Sequence, residues 1–273
     1  MKKRNLVIAL AVTTIAIGFT ACKKVTGAGD ATTASISSQS AIADNLTEDA
    51  NNIFTQTASD STALLGAARP APYYNATVTI TPGVGFPKTI TIDFGTGTTS
   101  EDGVFRTGKI IAVLSDSFRL NGTTVALSFN NYTVDGYGKT GTINWTNLSH
   151  GDTLQWTRVD SGTVFAPTGK YWHHSGTRSV VQTAGFGDDD LFDNVYSITG
   201  NHTYLNSDGI SSSAITVDGE PLEKKANCYF IDKGQIKITG PNHYAIIDFG
   251  NGDCDNLATY SVDGGTSYGF KLW

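Results

Sequence analysis

Thr89 to Gly97 reads TITIDFGTG, and Tyr244 to Gly252 reads YAIIDFGNG. In each, a run rich in β-branched residues leads into Asp-Phe-Gly, and a second glycine follows two positions later. Side chains on a strand alternate faces with a period of two, and glycine supplies the positive φ of tight turns, so both stretches predict a strand entering a turn. Asp-Phe-Gly also marks the metal-phosphate site of protein kinases. That chemistry requires a Gly-rich strand-turn-strand, a strand lysine in a V-A-I-K context and an H-R-D loop, and the chain has none of the three.

The same grammar continues on both sides. Asp102-Gly103, Asn121-Gly122, Asp135-Gly136, Asp208-Gly209, Asp218-Gly219, Asn251-Gly252 and Asp263-Gly264 punctuate short alternating segments. Asn-Gly and Asp-Gly favour type I′ hairpin turns, in which both central residues need φ > 0. Residues 70–273 therefore predict an all-β domain, an antiparallel meander of hairpins forming a sandwich or a strongly curved open sheet. About 200 residues suffice for one sizeable core. Thr89–Leu114 and Tyr244–Leu272 each give a strand, a Gly-x-Gly turn, an acidic patch and a lysine-bearing strand, which suggests two related halves. Tyr171–Asn194 is the one long segment without clear hairpin patterning.

The N-terminus has a different character. Lys2, Lys3 and Arg4 precede a mostly apolar stretch, Leu6–Ile17, which suits a signal peptide and is too short to span a bilayer. Phe19-Thr20-Ala21-Cys22 follows, resembling a bacterial lipoprotein lipobox with Phe19 where Leu, Val or Ile is usual. The expectation is a signal peptide over 1–21 and a lipid anchor, with membrane as partner, on Cys22. Residues 22–69 are rich in Ala, Ser, Thr, Asn and Asp and predict a solvated polar tether. Within it, the spacing of Ile42, Leu46, Ala50, Ile53, Phe54 and Thr57 predicts one short amphipathic helix over Ala43–Ala58, lying on the domain. Asp60-Ser61-Thr62 resembles an O-glycosylation acceptor, though an ordinary polar loop is the simpler reading.

Of the three cysteines, acylation of Cys22 leaves Cys228 and Cys254, an even pair suited to a disulfide in an oxidising envelope. The net charge is −6, and loss of the signal removes three positive charges and no negative ones. An acidic mature chain argues against nucleic acid as partner.

The phrases FPKTITIDFGTG, EDGVFRTGKIIAVL, VALSFNNYTVDGYGKTGTINWTN and AIIDFGNGDCDNLATYSVDGG together resemble a group of envelope lipoproteins from Bacteroidetes-type bacteria, over most of Phe86 to Trp273. The resemblance implies compartment and an all-β fold, and no activity. Relatives often carry a cysteine near Thr98 and another before Phe86, which implies that this chain lacks one disulfide and keeps another.

Candidate sites are few. Gly265-Thr266-Ser267-Tyr268-Gly269 matches a nucleophile elbow, but too little chain follows to supply a helix, an acid and a histidine. Asp188, Asp190 and Asp193, and Asn251, Asp253 and Asp255, cluster oxygen ligands as calcium requires, without EF-hand spacing; turn-forming Asp and Asn is the favoured reading. Trp145 and Trp156 share an apolar face across a hairpin and read as core. Tyr171, Trp172, His173 and Arg178 are the candidate ligand-binding residues. His173 and His174 point to opposite faces of a strand and cannot both grip one metal. No metal or cofactor motif is recognised. The reading is a lipid-anchored protein with a non-catalytic structural or binding role, in the outer membrane and facing the periplasm rather than the cell surface. The alternatives are a glycan- or protein-binding module through 171–194 and, from another class, a glycoside hydrolase or other carboxylate-based enzyme.

Overall fold

The computed structural model describes residues 28–59, 69–71, 74–101, 103–151, 153–186 and 193–272. The signal peptide, Cys22, Asp60-Ser61-Thr62, Asp188 and Asp190 lie outside them. One helix, α1 (Ala28–Ser59), precedes β1 (Arg69–Ala71), β2 (Ala76–Thr81), β3 (Lys88–Asp93), β4 (Thr98–Thr99), β5 (Phe105–Leu114), β6 (Thr124–Val134), β7 (Tyr137–Asn147) and β8 (Gln155–Phe165). Then come β9 (Tyr171–Ala184), β10 (Val195–Asn206), β11 (Ser211–Thr216), β12 (Leu222–Lys225), β13 (Lys233–Thr239), β14 (Tyr244–Asn251), β15 (Leu257–Val262) and β16 (Ser267–Lys271). The strands form one sheet whose order follows the chain from β1 to β16, with β4 paired to β5, and β12 paired to β10 and β13. The fold is all-β, an antiparallel meander. It is a curved sheet rather than a sandwich, because the second layer is the helix.

The two Asp-Phe-Gly segments end β3 and lie in β14, and they make the same turn. Asp93 Oδ1 accepts from the amide of Gly95 at 2.8 Å, and Asp248 Oδ1 accepts from that of Gly250 at 2.9 Å. Phe94 and Phe249 are both buried.

The helix corrects the expectation of a solvated tether. It runs 32 residues rather than the sixteen of Ala43–Ala58 and lies inside the curl of the sheet, so that every residue from Ser40 to Asn51 is buried. A helix buried on all faces is ordinarily hydrophobic; this one is not. Its hydroxyls fold back on its own backbone: Ser37 donates to the Thr33 carbonyl, Thr47 to Ala43, Thr55 to Asn51 and Thr57 to Ile53, at 2.7–2.8 Å. Its carboxylates meet arginines from the sheet, as described below. Ile42, Leu46, Ile53 and Phe54 supply the apolar part, each contributing about 1.5–3 kcal/mol on full burial.

The aromatic core sits around the C-terminal half of α1. Phe54 packs edge-on against Phe118 at 5.3 Å and Trp145 at 5.7 Å, and Trp145 lies 5.8 Å from Trp156. The two tryptophans are core, as their alternation predicts, but they pair diagonally: Trp145 opposes Arg158, and Trp156 opposes Asn147.

Close approach of neighbouring strands is met with glycine. A Cβ at Gly176 would stand 2.1 Å from the Asn201 carbonyl oxygen, and one at Gly162 would stand 2.2 Å from that of Thr140. Glycine inside a strand marks such approaches and lets the sheet bend tightly enough to enclose a helix.

Two of the longest strands, β9 and β10, fall on or beside the segment that lacked hairpin patterning. Their inward positions carry His174, Arg178, Gln182, His202 and Asn206, all buried. Polar residues on both faces erase the alternation from which a half-buried strand is recognised. Conversely, the apolar run Tyr229–Ile231 forms no strand: Tyr229 and Phe230 make a bend in the loop before β13.

Candidate functional site

Two polar assemblies occupy opposite faces of the sheet. The inner one joins α1 to the strands. Asp49 takes two hydrogen bonds from Arg106 of β5, at 2.7 and 3.1 Å, and one from the Tyr132 hydroxyl at 2.9 Å. Glu48 holds both terminal nitrogens of Arg158 of β8. Asp44 accepts from Arg178 of β9 at 2.8 Å and from the Tyr204 hydroxyl of β10 at 3.1 Å.

Lys139 and Asp160 complete this assembly. The Lys139 ammonium donates to Thr47 Oγ1 at 2.8 Å and lies 3.1 Å from His174 Nε2. Burial pushes Lys139 down to about 8, only partly offset by Asp160, Asp44 and Glu48. Burial acts to raise Asp160, but the hydrogen bond from His202 at 3.0 Å and the charge of Arg158 outweigh it and bring it to about 2. Burial, then the Lys139 charge, hold the His174 imidazole well below its ordinary range. These groups are paired with one another and covered by the helix, so the arrangement clasps α1 into the sheet.

The outer assembly is open to solvent. A hollow of about 790 Å³ lies over β7 to β13, and its outward side chains include Ser161, His173, Ser175, Thr203, Ser213 and Thr239. Five of these form one transverse row, since Ser161 pairs with Ser175, Ser175 with Thr203, Thr203 with Ser213, and Ser213 with Thr239. The row offers a hydroxyl on each of five successive strands, about 4.8 Å apart. Ser175 Oγ and Thr203 Oγ1 are 3.1 Å apart, and Thr163 Oγ1 lies 2.8 Å from His173 Nδ1. At the end of the hollow the exposed rings of Phe165 and Tyr171 lie 6.2 Å apart, and Tyr171 meets the His173 ring edge-on at 5.5 Å. No carboxylate side chain lines the hollow among the described residues.

The four expected ligand-binding residues are thereby divided. Tyr171 and His173 face outward, His173 lining the hollow and Tyr171 packed beside it, whereas Trp172 and Arg178 face inward and are buried, Arg178 on Asp44. The correction follows from the regularity of β9: neighbours on an extended strand lie on opposite faces. Residue types in the segment pointed to the hollow, but its serines and threonines were missed. Hydroxyls at alternate positions of successive strands, as in Ser161 and Thr163, Ser175 and Thr177, and Ser211 and Ser213, were the available signal.

Of the calcium candidates, Asn251, Asp253 and Asp255 rim a second hollow of about 290 Å³ with Asp248. Their polar atoms serve the turn: Asp255 Oδ1 accepts from the Leu257 amide at 2.8 Å, and the Asp253 carbonyl accepts from the Asp255 amide at 2.9 Å. Among the described residues, no group of three or more His, Cys, Asp or Glu is placed to hold a metal. Cys228 and Cys254 are joined, with their Cα atoms 5.6 Å apart. No described helix is long and apolar enough to cross a membrane. Neither a family model nor a curated protein nor a solved structure matches this chain.

Proposed function

We propose that the protein is a lipid-anchored envelope protein that binds an uncharged glycan without cleaving it. The observation that carries this reading is the hydroxyl row from Ser161 to Thr239 in an open hollow flanked by exposed Tyr171 and Phe165. Sugar hydroxyls both donate and accept, as Ser and Thr hydroxyls do, and an aromatic ring offers a flat apolar surface with, in tyrosine, a polar tip. The hydrolase alternative is less well supported: glycoside hydrolysis needs two carboxylates flanking the bond, and the hollow is lined by none among the described residues. The envelope setting rests on the signal and lipobox of residues 1–22, and Lys23 and Lys24, which follow the anchor where an acidic run would favour export to the surface, favour a periplasm-facing domain.

Calorimetric titration of the unacylated mature domain with uncharged β-linked oligosaccharides of glucose and of N-acetylglucosamine tests the site. Binding that is lost in Ser175→Val/Thr203→Val and weakened in Tyr171→Ala is expected. Absence of binding to every such sugar, or binding that these variants leave intact, defeats the reading. Separately, Cys22→Ser moves the protein from the membrane to the soluble fraction; continued membrane association of the variant refutes the anchor.

A further inference from the structure

We infer that the hollow lies at the end of the domain turned toward its own anchoring membrane, so that the glycan it takes is one displayed on that membrane's surface. This rests on the lipid anchor and the glycan site proposed above, and adds their spatial relation.

The direction of α1 within the sheet carries the argument. Its N-terminal third meets one set of turns. Asn206, which enters the β10–β11 turn, donates to Gln39 at 3.3 Å, and the Ile36 side chain comes within 2.7 Å of where a Cβ on Gly240, entering the β13–β14 turn, would stand. The β8–β9 turn joins them through the Lys170–Asp208 ion pair and through the Ser207 amide on the Tyr171 carbonyl at 2.8 Å. The β15–β16 turn joins through Asp263 on His243 at 2.6 Å. The C-terminal third of α1 meets the opposite set: Asn52 and Gln56 donate to the Ala226 carbonyl at 2.9 and 2.8 Å, and Phe54 packs on Phe118 between β5 and β6. Cys228 ties Cys254 to that far end.

The chain therefore enters α1 on the side of the first set. From Gln39 back to Ala28, eleven residues of helix advance about 16 Å. The six steps from Ala28 to Cys22 add at most about 21 Å when fully extended. The membrane surface then lies within about 37 Å of the β10–β11 turn, whereas the far turns stand a further strand length away, about 40 Å for the twelve residues of β10. The hollow belongs to the near end. Leu205 adjoins Asn206, Thr239 adjoins Gly240, and Ser161 is four residues, about 13 Å, from the end of β8. The end that carries the hollow is thus the end tied to the lipid, within about 37 Å of it.

The mature chain, coupled through the Cys22 thiol to a phospholipid in nanodiscs with Cys228 and Cys254 joined, tests this whether or not the native host acylates it. A donor fluorophore is introduced by nonsense-codon suppression at Asp208 in the near turn or at Leu120 in the far one, and acceptors are placed on lipid headgroups. Transfer from Asp208 severalfold above that from Leu120 is expected; equal or inverted transfer overturns the orientation. In a second arm, the discs carry a lipid bearing the oligosaccharide that the free domain binds. Occupancy of the hollow by the disc's own glycan, read as loss of the free sugar's binding, is expected. Full binding of free sugar on glycan-bearing discs overturns the inference. A free domain that binds no sugar defeats the glycan reading instead.

Discussion

Replacing Glu48 by Gln tests whether the polar helix is held inside the sheet by charge. Glu48 and Arg158 are 6% and 1% exposed, and the carboxylate holds both terminal nitrogens of the guanidinium. The substitution keeps shape and removes charge, leaving a cation beside Trp145, Trp156 and Lys224 with no carboxylate hydrogen-bonded to it among the described residues. Breaking a buried pair from one side costs about 3–5 kcal/mol, because the remaining charge stays desolvated. That is a large part of the roughly 5–15 kcal/mol that stabilises a typical domain. Urea unfolding followed by tryptophan fluorescence reads the change directly, since Trp145 lies under Arg158 at 5.3 Å. The midpoint should fall sharply at constant m. Glu48→Leu/Arg158→Met should recover most of the loss, since replacing both charges by apolar groups removes the desolvation cost along with the attraction. A loss below about 1 kcal/mol, the size expected of an exposed pair, would refute the placement of α1 inside the sheet.

Other perturbations separate the remaining contributions. As pH falls below 6.5, the unfolded chain gains a proton at His174 that the folded chain refuses, so stability declines on acidification, and His174→Asn flattens this limb in pH-dependent urea titrations. Asp160, held at about 2 against 3.8 unfolded, adds a second loss between those values, removed in Asp160→Asn. Burial sets Lys139 and Lys224 at about 8, so between about 8 and 10.5 the unfolded chain binds protons that the folded chain lacks. Stability rises with pH over that window, less steeply in Lys139→Met and Lys224→Met. Gly176→Ala, whose new Cβ would meet the Asn201 carbonyl oxygen at 2.1 Å, costs at least about 1–3 kcal/mol. Gly269→Ala on β16, with open space around it, is near neutral, and thermal unfolding distinguishes the two. Reducing the Cys228–Cys254 bridge, which closes a separation of 26 residues, lowers stability by about 3 kcal/mol in denaturant titrations with and without reductant.

Much of the architecture was legible in the sequence because hairpins are local. Asp-Gly and Asn-Gly turns and period-two runs on either side define a strand pair without reference to the rest of the chain. That is why β3, β7 and β14 emerged from residue patterns, and why Trp145 and Trp156 could be placed in the core, whereas the Cys228–Cys254 pairing came from the count of cysteines. The stripe Ile42, Leu46, Ala50, Ile53 and Phe54 likewise marked the buried middle of α1.

What the tertiary structure alone decided is where the charges go. Asp44, Glu48 and Asp49 read as solvated because a carboxylate in an isolated segment belongs in water; their partners Arg178, Arg158 and Arg106 stand 57 to 134 residues away. The same long-range pairing put polar residues on the inward face of β9 and β10 and hid those strands from a period-two reading. The hollow depends on it too, since its hydroxyl row comes from five strands whose register exists only once the sheet has closed around the helix. Local propensity determined the strands and their turns, while the placement of ionised groups, which depends on whether a counter-charge excludes the need for water, waited on the assembled fold.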